Sequence, residues 1–409
     1  MAIKKFFSMA FRSVIRNTRR SLLTALAVAL GLVVVMVMAG AIEGMIDNAL
    51  ADSIRVSTGH LQIRNTNYEV GKGSLLAKDL LDNAEALTKR VKEVAGVRSA
   101  TPILESSGLL STATESTGIE IIGIVPGDPF HDPVRNGIAA GEYLKADDRD
   151  LILMGEMLAN QMNIAVGQRV SLAASDANGV GQEGLFTVAG LVDTGFPGID
   201  QNRILMPLTQ AQSFSGVGDR ASDIIVMLDN LDDAESIAAQ LRGGDIDVQT
   251  WRDLNSILLE SMEIGMVFYY VIYLIVFLAV AVIIANTLLM SVFERTREIG
   301  ILASLGMNGR QIMALILFEA LILAIFGVAV GLVLGMGAVT YFAVVGISFS
   351  AETAAMVEGM AIGTTMKGGY APDQFAILSL LLLAVVCLVS LYPAWYAARM
   401  EPVEALHAL

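Results

Sequence analysis

Four long stretches without charge constrain this 409-residue chain more than any other feature. Residues 21–42, 264–293 and 374–398 contain no Asp, Glu, Lys or Arg, and residues 311–351 contain only Glu319. An α-helix rises about 1.5 Å per residue, so roughly 20 apolar residues cross the hydrocarbon core of a bilayer. The sequence therefore predicts an integral membrane α-helical protein with four transmembrane helices.

Two of these stretches allow an alternative interpretation. The first could be a cleaved signal peptide, but its apolar run is longer than the core of such a signal, so a retained anchor is favoured. The stretch at 311–351 exceeds the length of one span. Two spans joined by a tight turn are the alternative there, and they would reverse the topology of all that follows. One span is the simpler prediction. Its glycines, Gly327, Gly331 and Gly335, have the small-residue spacing of close helix pairs, which favours a subunit interface.

Charge is distributed unevenly along the chain. Residues 1–20 contain six basic residues and no acidic one, whereas the segment from Glu43 to Glu263 contains 33 acidic and 16 basic residues. Basic residues remain on the cytoplasmic side of a membrane. We therefore predict that the N-terminus is cytoplasmic and that residues 43–263 are extracytoplasmic. With four spans, the C-terminus is cytoplasmic as well.

The predicted segments can be placed in order along the chain. They are an amphipathic interfacial helix at 1–20, a first span at 21–42, an extracytoplasmic domain at 43–263 that ends in a stalk, a second span at 264–293, a cytoplasmic coupling helix at 294–311, a third span at 312–338, an outer loop at 339–373, a fourth span at 374–398 and a cytoplasmic tail at 399–409. Residues 43–263 alternate strand-like and helix-like patterns between Gly, Asp and Pro turns, which predicts an α+β domain.

No catalytic or metal site is expected. The single cysteine, Cys387, lies in an apolar run, and the three histidines are not at the spacing of metal ligands. The phosphate-binding motif G-x-x-x-x-G-K-[ST] is absent, because no Gly-Lys pair is followed by Ser or Thr. We predict a non-catalytic chain without cofactors, in which any ATP is bound by a partner chain.

The coupling helix at 294–311 is the main candidate site. It is a charged segment between two spans, so it lies outside the membrane while being connected to both. Its charges come first, an apolar set follows, and Gly306 stands where a helix ends in a left-handed cap. The predicted docking residues are Glu294, Arg295, Arg297, Glu298, Ile299, Leu302, Leu305 and Gly306.

Glu319 is the second candidate. An ionisable residue inside a membrane helix is a candidate for function, such as proton relay. Glu319 lies about two turns from the cytoplasmic end of its span, where it can reach water or pair with the nearby Arg310. A structural role is therefore favoured.

The segment RTREIGILASLG at 295–306 resembles the cytoplasmic signature of the FtsX/MacB-type ABC permeases. Four further segments of 43–263 also resemble that family: VAGVRSATP at 94–102, GIVPGDP at 123–129, GEMLANQMNIAVGQRVSL at 155–172 and FTVAGLVDTG at 186–195. The resemblance implies a MacB-like periplasmic domain with a ferredoxin-like part and a β-rich insertion at about 105–220. It also implies an FtsX-like membrane domain in the inner membrane of a bacterium.

The resemblance implies a permease subunit that transmits ATP-driven motion from a separate ATPase to the periplasmic domain, as a dimer with itself or with a similar permease. TGHLQI at 58–63 looks most like the lipoprotein-releasing branch, so lipoprotein release is the first hypothesis. Efflux of small hydrophobic molecules with a periplasmic adaptor is one alternative. Regulation of a cell-wall hydrolase, as in the cell-division relatives, is another. No nucleic-acid partner is expected.

Overall fold

A computed structural model of the chain describes residues 9–12, 14–16, 18–68, 75–348 and 365–400. The predicted first turns of the interfacial helix, residues 349–364 of the predicted outer loop and the tail after residue 400 lie outside these residues. The chain divides into two compact units. The helical unit comprises Met1–Ile46, Met262–Ile347 and Met366–Leu409, and the sheet unit comprises Asp47–Ser261 and Ser348–Thr365.

Helices and strands are numbered here in chain order. The α-helices are α1 (Thr18–Ser53), α2 (Ala84–Lys92), α3 (Asp132–Asn136), α4 (Glu156–Gln161), α5 (Pro197–Asp200), α6 (Leu208–Ser215), α7 (Ala234–Leu241), α8 (Trp251–Leu254), α9 (Ser256–Glu294), α10 (Thr296–Ser304), α11 (Gly309–Val345) and α12 (Pro372–Ala398). The strands are β1 (Leu61–Asn65), β2 (Val97–Ser111), β3 (Ser116–Ile124), β4 (Ile138–Gly141), β5 (Leu151–Gly155), β6 (Arg169–Ser175), β7 (Gly181–Val192), β8 (Arg203–Pro207), β9 (Asp223–Leu228), β10 (Ile246–Thr250), β11 (Ile347–Ser348) and β12 (Thr365–Met366). A π-helix spans Ile54–Thr58, and 3-10 helices span Pro129–His131 and Leu231–Asp233.

Four helices of the described residues, α1, α9, α11 and α12, are long and apolar enough to cross a membrane. Helix α11 is one uninterrupted helix, so the alternative of two spans joined by a tight turn does not describe this stretch. Both α1 and α11 continue past the ends predicted for their spans. The sequence boundaries were set by length and by the first charged residues, and these indicate where a bilayer ends rather than where a helix must stop.

The helical unit is held together by an apolar core between its four long helices. Its buried side chains include Val28, Leu32 and Met36 of α1, Phe277, Val280 and Ile284 of α9, Ala324 and Val328 of α11, and Phe375, Leu382 and Val386 of α12. In lipid, such helices associate through close packing rather than through the hydrophobic effect, so small residues at the contacts matter.

The glycines of α11 supply that close packing within this chain. A Cβ atom added at Gly327 would lie 2.7 Å from the Cβ of Val28 and 2.8 Å from the carbonyl oxygen of Ala25, both on α1. Cβ atoms at Gly331 and Gly335 would lie 3.0 Å from the carbonyl oxygen of Ala29 and 2.7 Å from the Sδ of Met36, also on α1. The prediction that these glycines form a subunit interface is therefore wrong. Their spacing indicates a close helix partner, but it carries no information about which helix that partner is.

A second close contact joins the outer end of α1 to the segment just before α12. The amide of Gly369 donates a hydrogen bond of 2.7 Å to the carbonyl oxygen of Gly40. A Cβ atom at Gly44 would overlap the carbonyl oxygen of Lys367. Main-chain atoms thus meet main-chain atoms here, and we call this contact the glycine seam.

The sheet unit contains one ten-stranded sheet, in the order β10-β1-β9-β2-β3-β8-β5-β7-β4, with β6 paired to β2 and β7. In the first four strands of this order every neighbouring pair is antiparallel. Helices α2 and α7 pack on them around a core that includes Leu61, Ile63, Val91, Val226 and Ile237. The remaining strands enclose a separate core that includes Leu104, Ile121, Ile152, Leu172 and Val188.

Strand β2 belongs to both parts of this sheet. Its first half pairs with β9, and its second half pairs with β3 and β6. The 15 residues of this strand therefore form a continuous connection between the two cores. Its alternation of buried and exposed residues is irregular, so a period of two residues does not mark it as a strand.

Candidate functional site

The coupling segment is a short helix delimited by two local signals. Helix α9 ends at Glu294, and after the single residue Arg295 helix α10 runs from Thr296 to Ser304. Gly306 has a φ of +96°, and the amides of Gly306 and Met307 donate to the carbonyl oxygens of Ala303 and Leu302 at 3.0 and 3.1 Å. These are the two hydrogen bonds of a Schellman motif, so the predicted left-handed cap at Gly306 is confirmed.

The next helix starts two residues after the cap. Asn308 and Gln311 form a capping box, in which the Gln311 side chain accepts a hydrogen bond of 3.0 Å from the Asn308 amide. A capping box satisfies two amide groups that a helix start leaves without partners. Helix α10 is therefore joined to α9 by one residue and to α11 by a short capped turn.

One face of α10 is buried against the long helices. Ile299 is buried and packs in a small cluster with Val292, Ile312, Ile316, Ala394 and Ala397, which lie on α9, α11 and α12. Leu302 is half-buried, and it lines a cavity of about 30 Å³ beside Glu319. This face fixes α10 to three of the four long helices.

Ion pairs connect the charged residues of the coupling segment to the basic residues near the N-terminus. Glu298 accepts hydrogen bonds from Arg16 at 2.6 and 2.7 Å and from Arg295 at 2.9 Å. The hydrogen bond from Arg16 is the largest cause that lowers the pKa of Glu298, with Arg295 adding to it. Glu294 accepts from Arg20 at 2.7 Å, and Arg20 also donates to the hydroxyl of Ser291.

Glu319 pairs with a different residue from the one predicted. Its carboxylate accepts a hydrogen bond of 3.0 Å from the guanidinium of Arg295, and Glu319 is 5% exposed. The sequence favoured water or the nearby Arg310 as its partner, but Arg310 is exposed. Arg295 reaches Glu319 because α9 ends beside the first turns of α11, a proximity that sequence separation does not reveal.

The opposite face of α10 is exposed. It consists of Arg297, Ile301, Ser304 and Leu305, with Ile301 45% and Leu305 78% exposed. We call these four residues the outer face of α10. The sequence prediction included Arg297 and Leu305 but missed Ile301 and Ser304, although the spacing of four from Arg297 to Ile301 to Leu305 indicates a common helix face.

The eight predicted docking residues therefore divide into two groups. Glu294, Arg295, Glu298 and Ile299 contact other parts of this chain, and Leu302 is half-buried beside them. Arg297 and Leu305 face outward, and Gly306 forms the cap. Within the described residues, no group of three or more His, Cys, Asp or Glu is placed to hold a metal ion.

Two known protein families together match most of the chain. The profile of the MacB-like periplasmic core domain matches residues 21–243, and that of the FtsX-like permease C-terminal region matches residues 270–402. The first match alone covers more than half of the chain. This protein is an FtsX/MacB-type ABC permease. The coupling segment of the permease lies inside the FtsX-like region.

The permease is similar over most of its length to proteins of lipoprotein-releasing systems. It is 22% identical over 336 residues to the lipoprotein-releasing system transmembrane protein LolC of Neisseria meningitidis, covering 76% of this chain and 78% of that protein. It is 21% identical over 342 residues to the corresponding LolE of Haemophilus influenzae, covering 78% and 80%. With the macrolide export ATP-binding/permease protein MacB of Syntrophobacter fumaroxidans it shares 31% identity over 123 residues, which is 30% of this chain and 15% of that protein.

Among solved structures, the permease is similar to the periplasmic region of MacB from Actinobacillus actinomycetemcomitans. The match covers 51% of this chain and 97% of that one, at 16% identity and a TM-score of 0.36. The extracellular domain of the ABC-type transporter YknZ from Gram-positive bacteria matches 46% of this chain and 100% of its own, at 16% identity and a TM-score of 0.33. Family membership and the four long apolar helices together describe a membrane protein with an extracytoplasmic domain.

Proposed function

We propose that this permease transmits ATP-driven motion from a separate ATPase, docked on the outer face of α10, to its extracytoplasmic domain. The supporting observation is the division of α10 into two faces. The inner face packs against the long helices through Ile299, and at the start of the helix Arg295 and Glu298 form ion pairs with Glu319 and Arg16. The outer face exposes Ile301 and Leu305. A force applied to such a helix passes to the helices on either side of it.

The ion pairs also support a position of α10 on the cytoplasmic side of the membrane. Arg16 and Arg20, at the basic end of α1, contact Glu298 and Glu294. Basic residues stay in the cytoplasm, so α10 belongs at the cytoplasmic end of the helical unit, where an ATPase has access. By the same argument both termini are cytoplasmic. The bacterial relatives that match most of the chain support a location in the inner membrane.

Helix α9 provides the proposed route of transmission. It runs without interruption over the 39 residues of Ser256–Glu294, beyond what a single span needs. Asn255 separates it from the short helix α8, so the proposed stalk starts at Ser256. We further propose that the four-stranded part β10-β1-β9-β2, with α2 and α7, is the ferredoxin-like part of the family's domain.

Lipoprotein release is the client function that we favour. The relatives that match over about four fifths of their length are subunits of lipoprotein-releasing systems, whereas the MacB match covers 30% of this chain. The partners would be an ABC ATPase, a second permease copy or a paralogue, and a lipoprotein. Macrolide-type efflux with a periplasmic adaptor is the second candidate, favoured by the higher identity of that shorter match.

Stimulation of ATP turnover distinguishes these clients. The permease would be co-purified with a candidate partner ABC ATPase, reconstituted in nanodiscs, and assayed with a purified lipoprotein, a macrolide or a cell-wall hydrolase. We expect the acylated lipoprotein to raise ATP turnover and the same protein without its acyl chains to have no effect. Stimulation by the macrolide alone would reject lipoprotein release, and stimulation by the hydrolase alone would indicate a regulatory role.

The docking surface has its own test. Leu305→Asp places a charge on the exposed apolar part of α10, so we expect it to reduce co-purification of the ATPase at least about tenfold, the loss of roughly one buried Leu at an interface. Leu185→Asp is the matched control, because Leu185 is 64% exposed on strand β7. The bound ATPase would be measured by densitometry after affinity purification. Equal recovery with both variants would contradict docking on this face.

A further inference from the structure

Two adjacent cavities lie in the sheet unit, away from the coupling segment. An outer groove of about 300 Å³ is lined by Arg55, Arg98, Ser99, Phe130 and Met227, among others. An inner cavity of about 50 Å³ is lined by Val56, Ile103, Ile122, Phe130, His131 and Asp200, among others. Phe130 lines both spaces, so the groove and the inner cavity are adjacent at this residue.

The π-helix at Ile54–Thr58 also contributes to both cavities. Arg55 faces the groove, whereas Val56 and Ser57 face the inner cavity. This element packs against the 3-10 helix at Pro129–His131, which carries the shared Phe130. Short π-helical turns are rare, and they occur frequently at functional sites. The groove and the inner cavity are therefore formed by the same two short helices.

The groove is positively charged within an acidic domain. Arg55 and Arg98 are exposed, and neither forms an ion pair with another described residue. Asp132 lines the same groove, but its carboxylate is neutralised by Arg135 at 2.8 Å. Asp52 interacts with Arg55 electrostatically from the preceding turn of α1 but does not line the groove. Two guanidinium groups are well suited to bind a carboxylate or a phosphate.

The inner cavity is mostly apolar and contains an unusual histidine. Its apolar walls include Ile103, Ile122 and Val134. The Nε2 atom of His131 is buried and has no hydrogen-bond partner within the described part of the chain. Burial, aided by Arg135, lowers the pKa of His131 to about 4, so the imidazole is neutral near pH 7. A buried nitrogen without a partner is a destabilising feature that a bound ligand can relieve.

We propose that the groove and the inner cavity form one binding site for an anionic amphiphile with a single apolar chain. The anionic group would bind Arg55 and Arg98, and the apolar chain would pass Phe130 toward the inner cavity. The groove volume is at the lower end of the range of small-molecule pockets, which suits one chain better than two. The site does not depend on the ATPase, on α10 or on the identity of the transported client.

Binding would be measured by calorimetry on the full chain in phosphatidylcholine nanodiscs, with decanoate as the probe. We expect saturable binding that Arg55→Gln with Arg98→Gln weakens by about tenfold or more, since charge-assisted hydrogen bonds are lost. Arg90→Gln is the matched control, because Arg90 is an exposed arginine on α2 outside the groove. Partition into the lipid is the same for all variants and is subtracted. Equal affinity of the double variant and the control would overturn the proposal.

The apolar half of the site requires a separate readout. Ser57→Leu fills the inner cavity without changing charge, so it should weaken decanoate binding while leaving the arginines in place. The chain contains three histidines, so histidine-selective isotope labelling gives few NMR signals. We expect decanoate to shift the His131 signal and inorganic phosphate to leave it unchanged. Phosphate binding as tight as decanoate, or a His131 signal that decanoate does not move, would reject the amphiphile.

Discussion

Glu319→Ala is expected to destabilise the folded permease by about 3 kcal/mol, the usual loss when one partner of a buried ion pair is removed. Glu319 is 5% exposed and accepts a hydrogen bond of 3.0 Å from Arg295. Without the carboxylate, the guanidinium of Arg295, whose side chain is 19% exposed, keeps its ion pair with Glu298 but loses its buried partner at the junction of α9, α10 and α11. The loss would be measured as the fraction of folded protein in nanodiscs across a denaturant series.

A matched exposed pair is the control for this prediction. Glu294 pairs with Arg20 at 2.7 Å, but its side chain is half exposed, so Glu294→Ala should cost less than about 1 kcal/mol. Replacing both Arg295 and Glu319 with methionine should restore most of the stability, because both charges of the buried pair are removed together and Glu298 keeps its ion pair with Arg16. Equal losses for Glu294→Ala and Glu319→Ala would show that burial of the Arg295–Glu319 pair has no energetic importance.

Gly327→Leu is expected to have an effect of similar size through packing alone. A Cβ atom at this position would lie 2.8 Å from the carbonyl oxygen of Ala25, a main-chain atom that cannot rotate away. Helices α1 and α11 would have to separate, and overpacking of this kind costs about 3 kcal/mol or more. We expect a large loss of monodisperse protein after detergent extraction, measured by size-exclusion chromatography and by thermal unfolding.

Gly337→Leu tests whether the effect arises from the contact rather than from the residue type. Gly337 lies on the same helix, is exposed, and has nothing within 4 Å of the position of a Cβ atom. Both substitutions raise the intrinsic helix propensity by up to about 1 kcal/mol, so Gly337→Leu should be neutral or slightly stabilising. If the two variants behaved alike, the close packing of α11 on α1 would be refuted.

Features with local sequence signals were predictable. The charged start of α10 and the glycine at its end are adjacent in the chain, and the cap at Gly306 formed as the pattern indicated. The long apolar stretches likewise became four long helices. The cap requires a residue that adopts a left-handed backbone conformation, and a span requires a sufficiently long apolar segment. Both causes act within one short part of the chain.

Partners far apart in the chain were not predictable. Arg16 and Glu298 are 282 residues apart, and charges alone do not indicate which of several arginines reaches which carboxylate. Which charged residues of the coupling segment are paired within the chain depends on those contacts, so the prediction grouped Glu298, which pairs with Arg16, with Leu305, which is 78% exposed. The glycines of α11 were misassigned for the same reason, because a small residue reports proximity without identifying the neighbour.

The glycine seam between Gly40, Gly44 and Gly369 has a consequence for how the helical unit can change shape. A junction made from backbone atoms does not depend on the side chains around it, and it leaves little room for one segment to slide past the other. The extracytoplasmic end of α1 and the entry to α12 should therefore behave as a fixed pivot. Rearrangements of these two helices would then be tilting motions, with their largest amplitude at the opposite end of the bundle.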